Sequence, residues 1–116
     1  IADPASAASM AALVQSRFGR CDVLVNNAAI SSSPQALESF PIDVWDRIFQ
    51  VNLRGALLCA QALVSMMFER GSGSIVNVAS MAGLRPLSQI GVYAMSKAAV
   101  IHMTKVMALE LAAWPT

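Results

Sequence analysis

Apolar residues recur at helical spacing along three stretches of the chain, with two short β-rich runs between them. Asp3-Pro4 reads as a helix start, with aspartate at the cap and proline at the first helical position. Met10, Leu13, Val14 and Phe18 follow at helical spacing, and Gly19 ends the helix. Val23-Leu24-Val25, bounded by Asp22 and Asn26-Asn27, reads as a buried strand. Ser31 to Phe40 is a polar loop holding Pro34, and Pro41 or Asp43 opens a long helix reaching to about Arg70. Its apolar positions include Val44, Ile48, Val51, Leu57, Leu58, Leu63 and Met66, and Gly71-Ser72-Gly73 breaks it. Ser74 to Ala79 is a second strand, and Met81 to Ile90 is a loop with Gly83 and Pro86. A last helix runs from about Gly91 to Ala112, with Pro115 beyond its end.

The order helix, strand, helix, strand, helix predicts an α/β fold with parallel strands and right-handed helical crossovers. The strands ending at Asn27 and Ala79 are expected side by side, with Val25, Val51, Leu58, Val76 and Val78 on the buried face. In such sheets ligands bind beyond the carboxyl ends of the strands. Asn26-Asn27 and Ser80 lie at those ends, and Tyr93 lies near the start of the last helix.

Composition narrows the setting. Of 116 residues, 56% are hydrophobic and only 13% charged, too few charges to cover a fully solvated surface, so burial against partners or further protein is expected. A net charge of +1 gives no field for nucleic acid or anionic lipid. The longest weakly charged stretch, Gly55 to Phe68, is too short to span a bilayer, and no signal-peptide pattern opens the chain. Cys21 and Cys59 show neither metal-ligand spacing nor a disulfide framework, so they read as small packed side chains in a reduced, cytoplasmic protein. His102 lies in an apolar stretch and reads as a core residue; no metal site is expected.

Candidate chemistry gathers at Tyr93-Ala-Met-Ser-Lys97 and at Ser80, thirteen residues before the tyrosine. Four-residue spacing puts Tyr93 and Lys97 on one helix face, where an ammonium favours an ionised phenol. A serine hydroxyl nearby suits the oxygen of a reacting carbonyl or alcohol. Other readings stand beside this one. Tyr93 also suits packing with a snorkelling Lys97, Ser80 also suits capping of the turn after its strand, and Asn52 also suits a helix-kinking residue bonded to backbone. Asn26 reads as a structural residue tying backbone together at the strand end.

Four segments, in order and at matching spacing from about Asp22 to Leu111, resemble the short-chain dehydrogenases/reductases. Val25-Asn26-Asn27-Ala28-Ala29 resembles their Asn-Asn-Ala-Gly strand end, and Ile75-Val76-Asn77-Val78-Ala79-Ser80 their serine-bearing strand. Tyr93-Ala94-Met95-Ser96-Lys97-Ala98-Ala99 resembles their catalytic helix, and Val51-Asn52-Leu53 with Gly55 the segment carrying their catalytic asparagine. The resemblance implies part of a doubly wound parallel-sheet Rossmann fold and an oxidoreductase moving a hydride between NAD or NADP and a small-molecule carbonyl or alcohol. It implies Tyr93 as general acid/base and Lys97 as the group that eases its ionisation and holds the nicotinamide ribose. Ser80 would orient the substrate oxygen, and Asn52 would hold a water in a proton relay behind Lys97. Asn27, Ala28 and Ala29 would lie against the cofactor, together with Tyr93 and Lys97.

Two departures from the family pattern shape the expectation. Ala29 stands where the family usually has glycine, which is tolerable at negative φ. No glycine-rich phosphate loop occurs, so residues 1–116 are expected to be the central catalytic segment of one Rossmann-type domain, without its glycine-rich N-terminal half and its C-terminal strand and lid. By itself such a segment is expected to be inactive, and a second reading is a non-catalytic remnant keeping the core and the association helices. The helices containing Leu58 and Val100 are the expected homodimer or homotetramer surface, with Gly55, Ala56, Ala60, Ala98 and Ala99 allowing close approach. Met81, Leu84, Leu87 and Ile90 suggest an apolar wall after the serine strand.

Overall fold

The computed structural model describes residues 2–113, so Trp114, Pro115 and Thr116 lie outside the described residues. Helix α1, Pro4–Phe18, begins and ends as its residues require: the Asp3 side chain accepts from Ala5 N–H, and Gly19 closes the helix in the left-handed conformation at φ +67°. Strand β1 is Val23–Asn26 and strand β2 is Ser74–Asn77. They pair in parallel, Val23 opposite Ser74 and Asn26 opposite Asn77, as adjacent neighbours. Between them an unbroken helical run, Ile42–Arg70, makes the crossover. It comprises α2 (Ile42–Phe49), a wider π turn (Gln50–Arg54) and α3 (Gly55–Arg70), and ends at left-handed Gly71. Helix α4 is Gly91–Ala112. Both predicted loops carry short 3-10 turns, Leu37–Ser39 and Met81–Gly83.

The core lies on one face of this sheet. Leu24 of β1 is buried with Cys21, Cys59, Ala60, Leu63, Met66 and Met67, and Met10, Val14, Ile75 and Met107 pack around them. The run Ile42–Arg70, with 29 residues and a mean hydropathy of 1.4, is long and apolar enough for a membrane span, longer than the stretch Gly55 to Phe68 suggested. The buried side of this run packs against α1, the sheet and α4. A second buried group joins α2 to α4: Ile48 is fully buried, as are Val92 and Val100. Burying Ile48 alone contributes about 2–3 kcal/mol.

Three of the five residues expected on the buried face point the other way. Val25, Val76 and Val78 are exposed at 56%, 46% and 39%, while Val51 and Leu58 are half-buried. Side chains alternate along a strand, and the buried set is Leu24 and Asn26 with half-buried Ile75 and Asn77. Both faces of these strands are apolar in sequence, so alternation could not choose between them. Among the described residues the helices cover only one face. His102 is also exposed, on a stripe with Ala98, Lys105, Val106 and Leu109. Helix α4 is apolar nearly all round, which hides its buried side from a reading of periodicity. The small residues Gly55, Ala56 and Ala60 are buried inside this chain, and Val100 faces its interior. Of the other small residues expected there, Ala98 is exposed and Ala99 half-buried.

Buried polar groups tie the elements together. Asn26 Nδ2 donates to Ala56 O at 3.1 Å and to Asn77 Oδ1 at 2.9 Å, Asn77 Nδ2 donates to Thr104 Oγ1 at 2.9 Å, and Thr104 Oγ1 donates to Val100 O at 2.7 Å. One chain of bonds thus links α3, β1, β2 and α4. Asn26 is structural, as its position at the strand end suggested.

Gln89, just before α4, has φ +66° and is the one non-glycine residue with positive φ among those described. Its carbonyl accepts from Gln35 N–H at 2.9 Å, latching the loop after β1 to the loop before α4. Left-handed backbone costs a residue with a side chain about 1–2 kcal/mol, partly offset in glycine by a more flexible unfolded chain. Gln89→Gly should therefore leave stability unchanged or raise it by up to about 1 kcal/mol, and Gln89→Val should lower it by about 1–2 kcal/mol. Urea unfolding of the two variants checks the order; a more stable valine variant would contradict it.

Candidate active site

The carboxyl ends of β1 and β2 and the first turns of α4 meet at one end of the sheet. Beyond β1, Asn27, Ala28 and Ala29 are exposed. Ala29 does not have positive φ, so alanine fits there without backbone strain. Ile30, next along, is held by Asn52: its N–H donates to Asn52 Oδ1 at 2.8 Å and its carbonyl accepts from Asn52 Nδ2 at 2.9 Å. Asn52 is buried at the middle of the π turn, where Gly55 N–H reaches back five residues to Gln50 O. π turns are short and favour functional sites. The reading of Asn52 as a helix-kinking residue falls on this turn.

Lys97 is only 3% exposed, and its ammonium donates to Val78 O at 2.9 Å. The same nitrogen lies 5.8 Å from the centre of the half-buried Tyr93 ring. Burial pushes the Lys97 ammonium below the ordinary lysine range, because the charged form loses water. Among the described residues the ion pairs are Arg20 and Arg70 with Asp22, all at the surface, so no carboxylate balances Lys97. A buried cation without a carboxylate is costly, which makes Lys97 a candidate for a functional role. The Val78 bond occupies one of its three hydrogens.

Ser80 Oγ accepts from Ala82 N–H at 3.1 Å and so caps the turn Met81–Gly83. The capping reading is correct, and it leaves the hydroxyl hydrogen free to donate. Two contacts fix Ser80 near the Tyr93–Lys97 face. Two residues before it, Val78 O takes the Lys97 ammonium. Three residues after it, Gly83 lies so close to α4 that a β-carbon there would sit 2.8 Å from Lys97 C and 2.9 Å from Ala98 N.

The side chain of Asn52 is fully engaged. Its amide hydrogens go to Ile30 O and to Ser96 Oγ, the latter at 3.0 Å, and it makes no bond to Lys97. The backbone-bonding reading of its side chain is therefore the one observed. Ser96 was not singled out from sequence; it is fully buried and its hydroxyl donates to Tyr93 O at 2.7 Å. The available signal was a small polar residue beside Lys97 in an otherwise apolar helix, which is weak.

Two grooves lie on the described residues, and neither is lined by Asn52, Ser80, Tyr93 or Lys97. One of about 370 Å³ is lined by Leu84 and Leu87, as expected for an apolar wall, with Leu37, Ala82, Arg85 and Met95; Met81 and Ile90 are not part of it. The other, about 420 Å³, runs along β2 from Gly73 to Asn77, beside Met107 and Leu111. Cys21 and Cys59 are both buried, and burial pushes the Cys59 thiol up, as suits packed rather than reactive cysteines. No metal-binding cluster occurs among the described residues.

Known proteins share both the sequence and the shape of this arrangement. The chain is 44% identical over 94 residues to dehydrogenase/reductase SDR family member 4 of Bos taurus, covering 81% of this chain and 34% of that protein. It superposes on a gluconate 5-dehydrogenase from Burkholderia cenocepacia J2315, solved with NADP and tartrate, with a TM-score of 0.90 and 35% identity over 96% of this chain and 43% of that one. It superposes on an NAD+-bound xylitol dehydrogenase with a TM-score of 0.92 and 32% identity, again over 96% and 43%. The two strands and their helices are thus part of a doubly wound Rossmann fold. The chain spans between 34% and 46% of the length of the curated relatives it matches. Residues 1–115 match the family model described as short chain dehydrogenase, and the chain belongs to the short-chain dehydrogenase family.

Proposed function

We propose that the chain is the central catalytic segment of an NAD(P)-dependent oxidoreductase that interconverts a small-molecule carbonyl and alcohol. The observation that carries this reading is Lys97, a buried ammonium without a carboxylate, 5.8 Å from the Tyr93 ring and bonded beside Ser80. The solved neighbours that hold NADP or NAD+ support the cofactor class.

The residues present suit such a cofactor. Asn27, Ala28 and Ala29 are open at the strand end, and Lys97 keeps two hydrogens for hydroxyl acceptors. When bound, the nicotinamide supplies or accepts the hydride. In carbonyl reduction Tyr93 Oη gives its proton to the substrate oxygen, and Ser80 Oγ donates a hydrogen bond to that same oxygen. Lys97 favours the phenolate that remains. In alcohol oxidation the proton moves the other way. Asn52 positions Ile30 and α4 through its side-chain bonds. The exposed Leu57, Val106 and Leu109 on the long helices would meet a second copy of the chain. Two buried free thiols suit a reducing, cytoplasmic setting.

The test is titration of the full-length protein with NADH and NADPH, read by nicotinamide fluorescence. One of the two should bind, and Lys97→Met should weaken it about ten-fold through lost hydrogen bonds to the ribose. Absence of binding by either cofactor would reject the proposal.

A further inference from the structure

Ser96 has no solvent exposure and sits between two groups of the site. Its one hydroxyl hydrogen goes to Tyr93 O at 2.7 Å, and its oxygen accepts from Asn52 Nδ2 at 3.0 Å. Asn52 in turn grips both backbone groups of Ile30. The bonds form one line, Tyr93 to Ser96 to Asn52 to Ile30, joining α4 to the segment just past β1. We propose that Ser96 is a positioning residue that fixes Tyr93 relative to Asn27–Ile30, the side on which the cofactor would lie. This rests on the proposed role of Tyr93.

The hydroxyl is needed for position rather than for the helix itself. Alanine forms helix better than serine, so α4 would persist without it. What alanine removes is the acceptor for one Asn52 amide hydrogen, which leaves a buried donor unpaired and frees the side chain to turn. Ile30 then loses its two-sided hold. Transfer chemistry tolerates little of this, because reacting atoms must stay within about 3–3.5 Å and a shift of about 1 Å can cost up to a hundred-fold.

The experiment compares Ser96→Ala, Ser96→Thr and Tyr93→Phe in the full-length protein. Ser96→Ala should lower kcat about ten-fold with substrate KM changed less than about two-fold, the pattern of an interaction made in the transition state. It should also speed hydrogen exchange of the Ile30 amide about ten-fold or more, since that amide donates to Asn52. Ser96→Thr, which restores the hydroxyl, should recover both; if its methyl does not fit, the two alanine readouts decide. Unchanged Ile30 exchange in Ser96→Ala would overturn the clamp, and faster exchange with intact kcat would overturn its role in positioning. If Tyr93→Phe is inactive while Ser96→Ala is normal, only the Ser96 inference fails. If Tyr93→Phe keeps its turnover, the proposed function fails and this inference with it.

Discussion

Tyr93→Phe should lower turnover of the full-length protein by about a hundred- to ten-thousand-fold, the span attributed to a positioned acid/base group. The ring stays, and with it the half-buried packing of Tyr93 beside Lys97. Backbone anchors are also untouched, because Ser96 bonds the Tyr93 carbonyl and not its phenol. Only the oxygen that would carry the proton is lost. Circular dichroism and the unfolding midpoint should therefore match the parent protein while kcat collapses. Cofactor affinity should fall less than in Lys97→Met, because the Lys97 ammonium stays in place. A phenylalanine variant with near-normal kcat would show that the proton travels by another group.

Gly83→Ala should have the second large effect, through geometry rather than chemistry. A β-carbon at this position would lie 2.8 Å from Lys97 C, 2.9 Å from Ala98 N and 3.0 Å from Ile101 Cδ1. The first two are backbone atoms of a helix and cannot swing aside as a flexible side chain can. The turn Met81–Gly83 must therefore lift from α4, at a cost of about 1–3 kcal/mol by analogy with overpacked cores. Ser80 caps that turn, so its hydroxyl would move with it. The expected signature is a lower unfolding midpoint together with a kcat reduced at least about ten-fold, since misplacement near 1 Å is enough for such a loss. Unchanged stability and turnover would mean that the serine turn is not seated on the helix as described.

Much of this organisation was legible in the residues. Asp3-Pro4 and Gly19 bounded α1 correctly, and Gly71 ended the long helix where expected. Parallel pairing of the two strands followed from the helix between them. Four-residue spacing placed Tyr93 and Lys97 on one helix face, and the Lys97 nitrogen lies 5.8 Å from the centre of the Tyr93 ring. What was hidden has common physical causes. Val23-Leu24-Val25 is apolar at every position, so alternation could not say that Leu24 faces the core and Val25 does not. His102 lies on a helix without a clear apolar stripe, and its exposure depends on tertiary packing. Asn52 and Ser96 meet across 44 residues of chain, and no local pattern encodes that contact. The π turn likewise left no mark in the apolar spacing, because Ile48, Asn52, Ala56, Ala60 and Leu63 are all buried through it.

That wider turn sets the angular phase of everything after it. An α-helix advances about 100° per residue, and a π turn absorbs one residue more than an α turn before returning to the same side. Residues after Arg54 reach the sheet only because this extra residue has been taken up. If the turn tightened to ordinary α-helix with every residue kept, all of α3 would rotate by about 100°. Ala56, Cys59, Ala60 and Leu63 would swing off the strands together, and the Ala56 carbonyl would leave Asn26. The wide turn thus works as a phase corrector: one surplus residue is taken up locally, and the side chains beyond it keep both their order and their direction.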